Sequence, residues 1–207
     1  MQRRLASIVL LVLFVFSLGL EAGPRRRAAG KRTPYDESTP GGWLAANAFV
    51  LATPDLVPFT GDLQPLRAMI GDADVVALGD ANHGTHEFFA SKLRIIDLLV
   101  REAGFDVVAL EAPFTVMNDL ETYIQGGPGN PRALLHAIGS LFFFWDSEEV
   151  VAAVEWMREY NAHRGQNPAV HIAGFDSFLP YPASRAVLAY LNSVDPAGAP
   201  TALTQYA

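Results

Sequence analysis

The hydrophobic pattern of this chain is organised around an internal echo. The string "DVVAL" occurs at 74–78 and again at 106–110, 32 residues apart. Each copy is continuously apolar and rich in β-branched residues, which predicts a strand buried on both faces. Between the copies, Phe89, Leu93, Ile96 and Val100 recur at helical spacing. Asp97 and Arg101 form an i,i+4 pair on the polar side of that helix, and Gly104 is placed to close it. Strand, helix and strand within about 35 residues make a βαβ unit with parallel strands. "AVHIAGFD" at 169–176 reads as a third strand.

Helices fill the intervals. "GGWLAANAFVL" opens the folded part near Trp43 as a short apolar helix, and "DLQPLRAMIG" (62–71) follows, closed by Gly71. Pro113 suits a first helical turn; "FTVMNDLETYI" then runs until Gly126-Gly127-Pro128 stops it. Asn130-Pro131 opens a short helix through Ile138. Asp146 and Glu149 resemble a capping box for a helix running to about Ala162. "ASRAVLAYLNSV" (183–194) reads as a crossover helix that no strand follows. The expected fold class is α/β, a parallel-stranded sheet flanked by helices. Three strands and an unused crossover lead to the expectation of an incomplete domain from a truncated or partial reading frame.

The N-terminus breaks the pattern. Arg3 and Arg4 precede an apolar run from Leu5 to Leu20. Sixteen residues suit a signal-peptide core and are short for a membrane span. "RRRAAGKR" at 25–32 opposes translocation, which keeps an uncleaved anchor as the second reading. Residues 1–22 are therefore expected outside the fold as signal peptide or anchor, 23–41 as a linker, and 42–207 as the α/β domain. The corresponding location is exported, periplasmic or secreted, or else membrane-attached through residues 5–20.

Composition narrows the chemistry. Half the residues are hydrophobic and the formal net charge is −7. A globular core is affordable on that composition, and a nucleic-acid surface is not indicated. Cysteine is absent, so disulfides and thiolate metal sites are excluded.

In an open parallel sheet, ligands bind beyond the carboxyl ends of the strands. Each predicted strand delivers ionisable groups there. The first gives Asp80, His83 and His86, the second ends in Glu111, and the third ends in Asp176. His83 is the candidate general base, since imidazole titrates near neutrality and needs a carboxylate, Glu111 or Asp80, to orient it. The competing reading is a loop histidine bonded to backbone. His86 falls in a first helical turn, where it either contacts substrate or caps the turn. Asp80 also suits an ordinary turn, and Asp176 a turn or cap. Glu111 ends a buried strand, where an acid is costly unless paired. His171 reads as a satisfied core histidine, and His136 and His163 as helix-surface residues. In "SLFFFWDSEEV" (140–150) most aromatics read as a core plug, with Trp145 the candidate wall of an apolar substrate pocket. His-Glu-x-x-His, Gly-x-Ser-x-Gly, Walker A and Gly-x-Gly-x-x-Gly are absent.

"ALGDANHGTHEFF", "ALEAPF", the "WDSEEV…WMREYN" segment and "GFD" together resemble the erythromycin esterase family, in order and in spacing, from about Trp43 onward. The resemblance implies an α/β sheet with helical additions and a hydrolase that cleaves an ester or lactone, as characterised family members cleave the macrolactone of macrolide antibiotics. It implies water activated by a histidine with acidic help, and no cofactor. It assigns the base to His83 and the strand-ending acid to Glu111. Asp80 stands where the family usually has Glu, one methylene longer. His86, Trp145 and Asp176 are the expected substrate contacts. The alternatives are a metal- or haem-binding module using His83, His86 and Glu111, or an inactive fragment.

Overall fold

Parallel strands and the helices that connect them make up the computed structural model, which describes residues 8–11, 36, 38–56, 61–79, 81–138, 140–176 and 180–206. The strands are β1 (Ile8–Leu11), β2 (Val75–Ala77), β3 (Val107–Pro113) and β4 (His171–Asp176), in the spatial order β2-β1-β3-β4. All three pairings are parallel. The helices are α1 (Pro40–Asn47), α2 (Gln64–Ile70), α3 (His86–Ala103), α4 (Phe114–Ile124), α5 (Pro131–His136), α6 (Glu148–His163), α7 (Pro180–Val194) and α8 (Ala199–Tyr206). A 3-10 segment, Ser140–Trp145, joins α5 to α6. Among the described residues, no helix is long and apolar enough to cross a membrane.

The two "DVVAL" copies are strands, yet they are not neighbours. β1 lies between them, with Ile8 in register with both Val75 and Val107. The sequence reading set this N-terminal segment outside the fold. A continuous apolar run satisfies an interior strand as well as a leader core, and its composition does not separate the two. Burial also divides the copies. In β3, Val108, Ala109 and Leu110 are buried, as expected for a strand covered on both faces. In β2, the edge strand, Val75 is 54% exposed.

α3 follows from its pattern. Phe89, Leu93, Ile96 and Val100 are buried together with Leu99, and Gly104 ends the helix at φ 76°. The expected Arg101–Asp97 pair is made at 2.6 Å. α2 ends at Gly71, and Asn130 caps α5 by accepting from the Ala133 amide at 3.0 Å. The cap of α6 is Ser147 rather than Asp146: the Ser147 hydroxyl accepts from the Val150 amide, while Asp146 faces away to His136 at 2.8 Å and Arg132 at 3.5 Å. His136 and His163 are exposed as expected. His171 is not a core histidine; it is half exposed and pairs with Glu121 at 2.7 Å, whose other oxygen accepts from the Ile172 amide. The final eight-residue helix α8 carries no sequence signal that distinguished it from a tail.

The aromatic and aliphatic core lies between the sheet and α3, α4 and α6, with Val108, Leu120, Ile124, Val154 and Trp145 inside it. Gly174 lets β4 close against this layer. A Cβ there would stand 2.4 Å from the Ala112 carbonyl oxygen and 2.9 Å from the Phe114 Cα. Both are backbone atoms that cannot yield without moving the β3–α4 corner. Glu111 lies just before that corner, within β3 at the irregularity between Leu110 and Pro113.

Candidate active site

The carboxyl edge of the sheet is assembled by a short aromatic segment. After β2 the chain turns through Gly84, at φ 85°, a conformation that favours glycine. The turn sets His83 three residues ahead of α3, with the Thr85 hydroxyl donating to Asn82. The His83 ring lies on Phe144, centroids 4.5 Å apart and planes tilted by 33°. Phe144 packs at 5.0 Å on Trp145. The Trp145 indole N–H donates to the backbone carbonyl of Glu111 at 3.0 Å, and its ring meets Phe89 edge-on at 5.8 Å. Two consecutive residues thus tie the His83 loop to the end of β3. Asp176 ends β4 in register with Pro113, two positions beyond Glu111. Asp80 lies outside the described residues.

Trp145 is the tie itself, held 1% exposed inside the core. An indole with its N–H paired inside the core is the low-cost arrangement for this side chain. The exposed aromatic of the segment is Phe143, which meets Phe144 edge-on at 5.7 Å.

His86 was expected to contact substrate or cap a turn, and the structure gives it another setting. Its Nδ1 meets Glu149 of α6 at 2.6 Å, and its Nε2 meets Asp55, in the segment before α2, at 3.3 Å. A cavity of about 240 Å³ borders the three, floored by Ala90, Leu93 and Ala152. Since the carboxylates engage different ring nitrogens, they do not converge on one point for a shared cation. Among the described residues, no group of three or more His, Asp or Glu side chains is arranged to hold a metal ion.

The pairing shifts both groups. The hydrogen bond it donates to Glu149, reinforced by Asp55, holds the His86 imidazole above its ordinary range, against the opposing effect of burial. Glu149 is held below the usual carboxylate range, chiefly by the same bond. Protonated His86 is thus the form the fold favours. Its contribution is complete below the ordinary histidine range and is lost as pH rises through the raised value; that of Glu149 is lost as pH falls through its lowered one. His86→Ala should therefore lower the thermal midpoint at mildly acidic pH and converge with the unmodified chain at alkaline pH. A midpoint difference that does not change with pH would refute the clamp.

Sequence reasoning missed Glu149 as a partner because its place two residues into α6 suits a first-turn acid. It missed Asp55 because no periodicity marks a loop residue 31 positions from its histidine. Lys92 was missed because it lies on the apolar face of α3. It is buried, with its ammonium 5.1 Å from the Phe89 ring centre, and it lines a narrow gap shared with Trp145 and Glu149.

Comparison with known proteins finds relatives of this chain in sequence and in fold. A family model described as erythromycin esterase matches residues 100–207. The chain is 26% identical over 197 residues to YbfO of Bacillus subtilis (strain 168), named provisionally as a hydrolase, covering 95% of this chain and 41% of that protein. It is 33% identical over 103 residues to the erythromycin esterase type II of Escherichia coli, covering 48% of this chain and 23% of that enzyme. A crystal structure of a Bacillus cereus protein superposes with a TM-score of 0.67 at 31% identity, covering 81% of this chain and 40% of that one. A structure described as a succinoglycan biosynthesis protein superposes with a TM-score of 0.65 at 32% identity, covering 75% and 38%. The chain therefore spans about two fifths of the length of YbfO and of both solved structures.

Proposed function

The chain belongs to the erythromycin esterase family, and from that premise we propose that it carries the histidine half of a hydrolase site acting on an ester or lactone. The observation that supports this most is the Phe144–Trp145 tie, which brackets the His83 ring and the end of the Glu111 strand between two adjacent residues. In this reading His83 takes a proton from water as the oxygen attacks the substrate carbonyl. The tetrahedral intermediate collapses, the C–O bond to the alcohol breaks, and the imidazolium returns the proton to the departing alkoxide. No bond forms between enzyme and substrate. Glu111 steadies the imidazolium, with Asp80 as the second acidic group. Asp176, at the end of the neighbouring strand, faces the same edge and contacts substrate polar groups.

Turnover of a panel of esters, lactones and amides, followed by acid release at constant pH, tests the reading. Hydrolysis of esters or lactones that survives exhaustive dialysis against a chelator is the expected result. Failure on every carboxylic ester and lactone would reject it. Activity lost on chelation and restored by a divalent metal would instead favour a metal-dependent site.

A further inference from the structure

The aromatic segment that ties the site together is graded in exposure. Trp145 is buried, Phe144 is half-buried against His83, and Phe143, the next residue outward, is 65% exposed. A single exposed apolar residue needs no explanation. Phe143 is not single. Phe114, the first residue after β3, is 47% exposed, and Phe175, next to last in β4, is 45% exposed. Three phenylalanines therefore stand in solvent at the carboxyl ends of the strands, where the ionisable candidates also collect. Apolar surface gathered around polar, chemically competent groups is the composition of a ligand site rather than of ordinary surface.

Position separates the three. Phe143 touches Phe144 at 5.7 Å, and Phe144 touches His83 at 4.5 Å. One ring thus separates Phe143 from the proposed base. Phe114 is fixed by its backbone, whose Cα lies against Gly174, so it moves only with the sheet corner. Phe143 sits in a 3-10 turn anchored from within by Trp145 and from behind by the Asp146 amide, which donates to the Phe143 carbonyl at 3.0 Å. Its ring is consequently presented on a rigid support, so little ordering is needed for it to close on an apolar group.

We propose that Phe143 is a specificity-determining residue: it binds the apolar acyl portion of an ester whose carbonyl is presented to His83, and it selects for long or bulky acyl groups over short ones. The proposal rests on the hydrolase reading for its catalytic consequence and on the exposed ring beside Phe144 for its binding consequence. Burial of a phenyl face against an alkyl chain acts equally in ground and transition state, so its loss belongs in KM rather than in kcat.

Two measurements on the full chain test it. In the first, p-nitrophenyl acetate and p-nitrophenyl octanoate are compared as substrates for the unmodified chain, Phe143→Ala and Phe143→Leu. Phe143→Ala is expected to raise KM for the octanoate about tenfold, with kcat and the acetate parameters nearly unchanged. Phe143→Leu should restore most of the loss. Equal losses on both esters, or a change confined to kcat, would overturn the proposal. In the second, calorimetry follows binding of an unreactive ketone, 2-decanone. A weakening of about tenfold in Phe143→Ala is expected even if neither ester is turned over, a result that would uphold the binding role of Phe143 while the hydrolase reading is decided by the wider panel of esters and lactones. Unchanged ketone affinity would overturn the role of Phe143 whatever the chain hydrolyses.

Discussion

His83→Ala should lower ester or lactone hydrolysis by about 10²- to 10⁴-fold, the range that removal of a positioned general base produces. The loss should fall in kcat, because a proton taken in the transition state contributes little to holding the substrate. The fold should survive. His83 is part-exposed in a loop, and its packing partner Phe144 remains supported by Trp145. Glu111→Gln should cost less, since an acid that steadies an imidazolium acts through the histidine. Circular dichroism of both variants should match that of the unmodified chain. A collapse of structure in His83→Ala would mean that the ring's stacking, rather than its basicity, is what the loop requires.

The second large effect concerns stability. Asp62→Ala should destabilise the chain by about 3–5 kcal/mol, the cost of leaving one partner of a buried pair alone. Arg94 is 3% exposed on α3, and its guanidinium meets both oxygens of Asp62 and donates to the Thr53 carbonyl at 2.8 Å. Asp62 also accepts from the Ala52 amide at 2.8 Å. The pair therefore fastens Ala52, Thr53 and Asp62 to α3, beside Asp55 and the His86 clamp. For a chain of this size the thermal midpoint should fall by roughly 10 °C. Replacing both partners with apolar residues, Asp62→Leu with Arg94→Met, should recover much of the loss, because no unpaired charge is then buried. An unchanged midpoint in Asp62→Ala would show that the arginine finds another partner.

What the sequence made legible were features carried by local periodicity. The spacing of Phe89, Leu93, Ile96 and Val100 marks the helix α3, and Gly71 and Gly104 stop helices where expected. The apolar "VVAL" cores define two strands. Three kinds of feature stayed hidden. The position of a strand in the sheet is a tertiary matter: nothing in "IVLL" distinguishes an interior strand from a leader, and nothing in the "DVVAL" copies announces a strand between them. Caps compete over single residues, so Ser147 and Asp146 could not be separated without the turn geometry that points Asp146 at His136. Long-range polar pairs leave no periodic trace, as with Asp62 and Arg94, 32 positions apart, or His86 and Glu149, 63 apart. The candidate site fell between these cases. That His83 follows β2 and that Glu111 lies in β3 was legible from the strand pattern; their chemical roles are the proposal. The use of Trp145 as a tie was not legible, because its exposure depends on what α3 and β3 place around it.

The measurement that bears most directly on the central claim is rescue of His83→Ala by added imidazole. If His83 takes a proton from the attacking water, free imidazole entering the vacated space should restore hydrolysis in a saturable, concentration-dependent way. It should leave the unmodified chain unaffected, and it should restore nothing in a variant carrying Glu111→Ala alone. Hydrolysis by His83→Ala at the rate of the unmodified chain, without imidazole, would contradict the account and move the base elsewhere on the sheet edge.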